Sequence, residues 1–415
     1  MAGLLAARMN RIKSLEDYSD VVAHDVLDEI RQAASRLSGV TVLHVNATSY
    51  GGGVVEILDS LVLLMNDLDV RTDWRVIHGT PDYFEVTKKF HNALQGEDVT
   101  FSASELELYK RTNEKFSAFA FLDHDCVIIH DPQPLALVHY TQHTAPWVWR
   151  CHIDITRPNE LAWGMLSPFM LQYERMIVSS EGYRRPDLAI LQQVMAPSID
   201  PYSPKNRALS EETIRSHLER HGIPTDLPLI TQVSRLDPWK DPEGVLAVFE
   251  QVKREVDCRL VFCYNLASDD PEGTRIEERM LKLAQPYLAK GEVLFVRGDD
   301  PLLVNALQRH SSVILQKSTR EGFGLVITEA MWKGAAVVAS NVGAIPRQIE
   351  DGVNGFLVEP TDTVGCAAKV VQLLTDRQLA AEMGHAATES VRKNFLITRH
   401  LLDYLNLIAE LIDRP

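Results

Sequence analysis

Two glutamates separated by seven residues, Glu321 and Glu329, mark the clearest candidate chemistry in the sequence. The segment EGFGLVITE reads as a loop with two glycines that permit close backbone approach, followed by a helix. The backbone N–H groups of Phe323, Gly324 and Leu325 would point outward at the helix N-terminus, where the dipole favours an anion such as a diphosphate. Glu321 then suits the hydroxyls of a hexose and Glu329 those of a ribose. The alternative is a surface loop followed by a solvated helix face.

A basic pair follows the first strand of the second half of the chain, in the segment SRLDPWK (234–240). Arg235 offers a planar fork of donors and Lys240 a point charge, a combination that suits a diphosphate leaving group. Charged hydrogen bonds of this kind contribute about 1.5–3 kcal/mol each. The alternative is a surface arginine beside a lysine that extends along its helix.

A glycine run in the first half of the chain, Gly51, Gly52 and Gly53, joins the first strand to an apolar helix. Without side chains these residues let the backbone approach a ligand closely. The run does not have the GxGxxG spacing, so the sequence gives no support for NAD binding. A plain tight turn explains the glycines equally well.

Two predicted strands in the first half of the chain end in titratable residues, in the segments HDPQP (130–134) and RCHID (150–154). His152 and Asp131 are the best candidates there for an acceptor-side site, although a histidine at a strand end often has a structural role. No HExxH, CxxC or EF-hand pattern is present, so we predict that no metal or other cofactor is required.

Short apolar runs that alternate with helical periodicity indicate the α/β class, with the strands in parallel sheets covered by helices. The first series lies at 40–45, 73–78, 126–130, 147–152 and 175–179, and the second at 229–234, 258–263, 292–296, 312–316 and 335–340. Two such series predict two Rossmann-like, doubly wound domains that face each other across a cleft. A proline-rich stretch, 196–210 with 221–228, reads as the linker.

These patterns predict a first domain over 1–225, a second over 226–395, and a last helix over 396–415. The apolar residues Leu401, Leu405, Ile408 and Ile412 recur at helical spacing and need a surface to cover.

The composition argues against two classes of function, nucleic-acid binding and membrane insertion. The chain has 415 residues, 45% of them hydrophobic, and a formal net charge of −15, which disfavours nucleic-acid binding. With no apolar run of membrane-spanning length and no convincing signal peptide, we predict a soluble, cytoplasmic protein without membrane contacts. The five cysteines are best explained as buried thiols, and Cys258 and Cys263 should point to opposite faces of one strand.

With these residues in view, the sequence resembles glycosyltransferase family 4, the retaining enzymes of GT-B fold, whose E-x7-E pattern Glu321 and Glu329 match. Arg235 and Lys240 match that family's diphosphate-binding pair. Within the family, the segments HVNATSYGGGVVEIL, HDPQP, WRCHID, TQVSRLDPWKD and TEAMWKG are similar to trehalose-synthesising glycosyltransferases, and the likeness covers nearly the whole chain.

The resemblance implies transfer of glucose from a nucleoside diphosphate glucose, such as ADP- or UDP-glucose, to glucose, giving α,α-trehalose, often reversibly. It also implies that the Gly51–Gly53 loop meets the donor phosphate and that His152 meets the transferred glucose. The same resemblance implies that the last helix, 396–415, crosses back to complete the first domain, and that the protein is a homodimer. By the same matching, Arg235 and Lys240 bind the diphosphate, Glu321 the glucose and Glu329 the ribose. Two alternatives remain at this stage: a trehalose phosphorylase of the same fold, and a catalytically silent sugar-binding protein.

Overall fold

The computed structural model describes residues 13–49, 52–265 and 271–413, which form two compact α/β units. The first unit runs to Ser198 and resumes at Ile397, and the second spans Ile199–Leu396. Each unit is built on a six-stranded parallel sheet, which confirms the predicted pair of Rossmann-like domains. No helix in the described ranges is both long and apolar enough to cross a membrane.

The sheet of the first unit has the order β2-β1-β3-β4-β5-β6. Its strands are β1 (Thr41–Asn46), β2 (Arg71–Val76), β3 (Cys126–His130), β4 (Trp147–Arg150), β5 (Arg175–Val178) and β6 (Leu191–Val194). The helices of its main segment are α1 (His24–Ser35), α2 (Gly53–Asp67), α3 (Pro81–Leu94), α4 (Ala103–Ser117), α5 (Leu137–Tyr140) and α6 (Glu160–Met170).

The sheet of the second unit has the order β12-β11-β10-β7-β8-β9. Its strands are β7 (Leu229–Arg235), β8 (Arg259–Asn265), β9 (Val293–Arg297), β10 (Val313–Gln316), β11 (Val337–Ser340) and β12 (Phe356–Val358). The helices are α7 (Glu211–Arg220), α8 (Pro242–Val252), α9 (Pro271–Leu283), α10 (Gln285–Leu288), α11 (Pro301–His310), α12 (Leu325–Trp332), α13 (Thr363–Thr375) and α14 (Arg377–Asn394).

The ten predicted strands are all present, and two further strands, β6 and β12, were missed. Central strands such as β3 and β10 are buried along their whole length, which explains their continuous apolar sequences. β6 has the sequence LQQV and is exposed or half-buried throughout, because it lies at the sheet edge. β12 has only three residues. Neither carries the apolar signal of a central strand.

The predicted boundary at residue 225 is wrong, because the segment 199–225 belongs to the second unit. Helix α7 packs against α11 there. The side-chain amide of Asn305 on α11 donates hydrogen bonds to the carbonyls of Pro204, at 3.0 Å, and Arg207, at 2.8 Å. These contacts tie the proline-rich stretch to the second sheet rather than leaving it as a free linker.

The last helix, α15 (Ile397–Ile412), lies in the first unit and packs against α1 and α2. Leu401, Leu405 and Ile408 are fully buried, so the apolar stripe read from the sequence is the face that covers the first unit. The five cysteines are buried free thiols. Cys258 immediately precedes β8 and Cys263 lies within it, and the two belong to different core clusters on opposite faces of the second sheet, as their spacing predicted.

Candidate functional site

A strand, a loop and a helix place the two glutamates of the second unit, as the sequence predicted. The loop follows β10 and ends at Gly324, whose φ of 83° is the left-handed conformation that glycine adopts most readily. A Cβ atom at this position would lie 3.1 Å from Cγ of Glu321. Helix α12 begins at the next residue, Leu325, so the N–H groups of its first turn are available to an anion. Phe323 is buried, and its carbonyl accepts a hydrogen bond from Gln348 at 2.5 Å.

The structure brings Lys240 and Glu321 together. The Lys240 ammonium donates to Oε2 of Glu321 at 2.6 Å, and only 16% and 10% of the two side chains are exposed. The hydroxyl of Ser318 donates to the same oxygen at 3.1 Å. The lysine backbone is held by Gln232, whose amide donates to the Lys240 carbonyl at 2.8 Å. A nearly buried cation therefore lies against a hydrogen-bonding carboxylate, close to the start of α12.

Glu329 lies on the second turn of α12 and is buried, with 1% of the residue exposed. This excludes the alternative of a solvated helix face. The ammonium of Lys205 lies 3.4 Å from Oε1. The other oxygen, Oε2, is buried without a hydrogen-bond partner among the described residues. Since a buried carboxylate oxygen is costly without a donor, this atom suits a ligand hydroxyl.

Arg235 lies at the surface of the second unit. Its side chain is 58% exposed and donates to Asp237 at 3.0 Å.

Two basic residues near the glutamates, Lys205 and Arg320, were not predicted from the sequence. Lys205 is distant from Glu329 in the sequence, so no local motif could have paired them. The guanidinium of Arg320, one residue before Glu321, stacks 4.8 Å from the ring centre of Trp239 and so joins the basic segment to the glutamate loop.

The glycine run of the first unit is described in part. Gly52 caps α2 with a φ of 84°, and Gly53 is the first residue of that helix, whereas Gly51 lies outside the described residues. The preceding strand end is braced by Asn46, which donates to the Thr48 carbonyl at 2.7 Å and accepts from the Trp74 indole at 2.8 Å. Gly52 therefore occupies a backbone conformation that other residues adopt only with strain.

His152 lies just beyond β4 and is held through its backbone by Asp131. The Asp131 carboxylate accepts the His152 N–H at 2.8 Å, and Asp131 itself has a φ of 63°. The Trp149 indole donates to the Asp131 carbonyl at 3.1 Å, which fixes this turn from a second side. Burial raises the pKa of Asp131 to about 6. The geometry gives Asp131 a direct part in shaping the backbone at His152.

Three imidazoles, His44, His130 and His152, form a hydrogen-bonded row that we call the histidine chain. Nδ1 of His44 lies 3.0 Å from Nε2 of His130, and Nδ1 of His130 lies 3.0 Å from Nε2 of His152. Burial lowers the pKa of His44 to about 3 and those of His130 and His152 well below the usual value. Sequence reasoning missed the chain because its members lie on separate strands. His44, His130 and His400 are the fully buried imidazoles of this unit.

No group of three or more His, Cys, Asp and Glu side chains in the described ranges is arranged to hold a metal ion. The prediction that the reaction requires no metal stays a prediction.

Comparisons with known proteins decide the family. The profile described as "Trehalose synthase, N-terminal domain" matches residues 44–185, and "Glycosyl transferases group 1" matches residues 213–390. A trehalose synthase of Pyrococcus horikoshii is 43% identical over 404 residues, covering 96% of this chain and 97% of the relative. A trehalose synthase of Rubrobacter xylanophilus is 40% identical over 411 residues, with 96% and 97% covered. The chain belongs to the trehalose synthase family.

Members of the trehalose synthase family are glycosyltransferases, and the fold agrees with this assignment. Sucrose-phosphate synthase from Thermosynechococcus elongatus superimposes with a TM-score of 0.72 at 18% identity, covering 90% of this chain and 99% of that one. Trehalose-6-phosphate synthase OtsA gives a TM-score of 0.73 at 15% identity, with 89% of this chain and 98% of that one covered. The chain thus has the GT-B fold. A trehalose phosphorylase of Pleurotus pulmonarius is 26% identical over 92% of this chain but 59% of its own length.

Proposed function

We propose that this protein is a retaining glucosyltransferase that moves glucose from a nucleoside diphosphate glucose to glucose, giving α,α-trehalose and the nucleoside diphosphate. The membership of the trehalose synthase family supports a trehalose-related transfer. The donor, the stereochemistry and the direction of the reaction are the parts that we propose. The cytoplasmic location and the homodimer stay predictions from the sequence.

The arrangement of Lys240, Glu321 and Glu329 around the start of α12 carries the proposal. A nucleoside diphosphate glucose presents a hexose, two phosphates and a ribose in that order. The Glu321 carboxylate can accept from hexose hydroxyls, the Lys240 ammonium and the helix N–H groups can bind the phosphates, and the unpartnered Oε2 of Glu329 can accept from a ribose hydroxyl. Each part of the donor therefore has a matching group within one unit.

The chemical step that we propose is a front-face displacement. The bond between the anomeric carbon and the phosphate oxygen breaks, and the acceptor hydroxyl oxygen forms its bond on the same face of the sugar. The departing phosphate oxygen takes the proton of that hydroxyl. Lys240, Arg235 and the N–H groups of α12 stabilise the charge that develops on the diphosphate, which is where preorganised donors lower a barrier most.

His152 is the candidate in the first unit for a hydrogen bond to the transferred glucose. The Asp131 carboxylate holds its backbone, and the histidine chain holds its ring. The depressed pKa keeps the imidazole neutral, so it stabilises the sugar through a hydrogen bond rather than through a full charge. Gly51, Gly52 and Gly53 are proposed to approach the donor phosphate through their backbone.

A trehalose phosphorylase is the second candidate, favoured by the likeness to the Pleurotus pulmonarius enzyme. A lysine beside a helix N-terminus would bind inorganic phosphate as well as a diphosphate. Glu329 separates the two reactions, since a phosphorylase has no ribose to hydrogen-bond and would leave Oε2 of this buried carboxylate unpaired.

The test supplies glucose with UDP-, ADP- and GDP-glucose in separate reactions, beside glucose 1-phosphate, and measures disaccharide formation. Our proposal predicts trehalose from at least one sugar nucleotide and names the preferred base. Trehalose from glucose 1-phosphate alone would establish the phosphorylase. Absence of turnover with every donor would favour a catalytically silent sugar-binding protein. Calorimetry with the same donors would then measure its binding affinity.

A further inference from the structure

The histidine chain crosses three neighbouring strands of the first sheet. His44 lies in β1, His130 ends β3, and His152 follows β4, and these strands are adjacent in the sheet order. Successive ring centres are 5.3 Å apart, and the His130 and His152 rings are inclined by only 13°. The row therefore runs from a fully buried imidazole, His44, to a half-buried one, His152.

The protons of a neutral chain must all point the same way. A neutral imidazole has one N–H and one lone pair, and each contact in the row needs one of each. Either every ring carries its proton on Nδ1, so that His44 donates to His130 and His130 to His152, or every ring carries it on Nε2 and the donation runs inward. The state of one end thus fixes the tautomer at the other.

The buried end favours the outward direction. Nε2 of His44 is buried and has no hydrogen-bond partner in the part of the chain that the structure describes. The inward arrangement would place an N–H on this atom, whereas the outward arrangement places a lone pair there. Orphaned buried N–H groups are rarer in proteins than under-satisfied acceptors, so the outward arrangement has the lower cost.

We propose that His130 and His44 are positioning residues that hold His152 in the tautomer whose outward nitrogen, Nδ1, carries the proton. This inference rests on the proposed function, in which His152 contacts the transferred glucose. His152 is then a fixed hydrogen-bond donor to a sugar oxygen. It is not a base for the acceptor hydroxyl, whose proton goes to the departing phosphate oxygen. A rotating or mixed-tautomer imidazole would present a lone pair to the sugar for part of the time.

A matched pair of substitutions at His130 isolates the hydrogen bond from the packing. Asn and Leu have nearly the same shape, but the asparagine amide can donate from the position of Nδ1 and leucine cannot. We expect His130→Leu to lower kcat by about tenfold or more, the equivalent of one hydrogen bond, with a smaller change in KM. His130→Asn should restore kcat to within about threefold of the wild type. The control His139→Leu removes an exposed imidazole of the same unit and should leave kcat unchanged.

The tautomer itself is read from the wild-type protein by long-range 1H–15N correlation after labelling the histidines with 15N. His152→Gln and His130→Asn assign the signals. We expect a protonated Nδ1 and a bare Nε2 at His152, with population of the Nε2–H form in His130→Leu. A protonated Nε2 at His152 in the wild type, or equal loss of kcat in the Asn and Leu variants, would overturn the inference. Because the spectrum needs no turnover, it tests the chain even if the proposed reaction fails.

Discussion

Replacing Lys240 with methionine tests the donor side of the site with little change in side-chain volume. The substitution removes the ammonium that donates to Glu321 at 2.6 Å and that we propose also binds the leaving diphosphate. A charge-assisted hydrogen bond contributes about 1.5–3 kcal/mol. If that contribution is made to the transition state, kcat/KM should fall by about 10- to 150-fold.

The same substitution also removes an ion pair, so a stability effect has to be separated from a catalytic one. Lys253 offers the matched control. Its side chain is 19% exposed, against 16% for Lys240, and it pairs with Glu292 at 3.3 Å in the same unit. We expect Lys240→Met and Lys253→Met to lower the free energy of unfolding by similar amounts, about 1–3 kcal/mol.

The assay follows release of the nucleoside diphosphate at initial rates, well below the melting temperature of either variant, with unfolding monitored by circular dichroism. Only Lys240→Met should lose turnover. Retention of kcat/KM within about threefold of the wild type, roughly 0.6 kcal/mol, would refute the assignment of Lys240. An equal loss of turnover in Lys253→Met would show that the effect comes from stability.

Three further predictions follow from the structure. Glu329→Gln should raise KM for the sugar nucleotide about tenfold with little change in kcat, because a ribose contact is made equally in the ground and transition states; an unchanged KM in steady-state kinetics would exclude that contact. Gly324→Ala and Gly352→Ala should each lower the free energy of unfolding, measured in urea, by about 1–2 kcal/mol, because the two glycines have φ values of 83° and 78°. Only Gly324→Ala should also lose turnover, since its Cβ meets Glu321; equal turnover in the two variants would argue against this. Four imidazoles, those of His44, His130, His152 and His400, have folded pKa values below the unfolded value near 6.5, so the stability they contribute is present above that pH and is lost as the pH falls below it. Urea unfolding at pH 5.5 should show a loss of about 5–6 kcal/mol relative to pH 8, offset by about 1 kcal/mol from the raised pKa of Asp131, and a flat profile would contradict neutral burial.

Much of the fold could be predicted because buried parallel strands have a distinctive sequence. Strands such as β3, CVIIH, are apolar at nearly every position since helices cover both faces of the sheet. Strand β6, LQQV, was missed because an edge strand need not be apolar. The boundary at 225 was wrong because the segment before it is held to the second unit by long-range hydrogen bonds from Asn305 to the carbonyls of Pro204 and Arg207. No local sequence pattern predicts such contacts.

One part of the candidate site could be predicted from the sequence, and another part could not. The contact between Lys240 and Glu321 joins two residues that local motifs had already marked, since both follow strands of a parallel sheet at its carboxyl edge. The histidine chain could not be read from the sequence, because a histidine within an apolar strand looks like any buried polar residue. Only the order β1-β3-β4 brings His44, His130 and His152 into one row.

The anomeric configuration of the product tests the central claim most directly. The protein would be incubated with its preferred sugar nucleotide and glucose labelled with 13C at the anomeric carbon, and the disaccharide examined by NMR. We expect a non-reducing disaccharide with both anomeric carbons in the α configuration, one of them from the labelled acceptor, and one nucleoside diphosphate released per disaccharide. A β linkage, a reducing disaccharide, or release of free glucose without a disaccharide would contradict it.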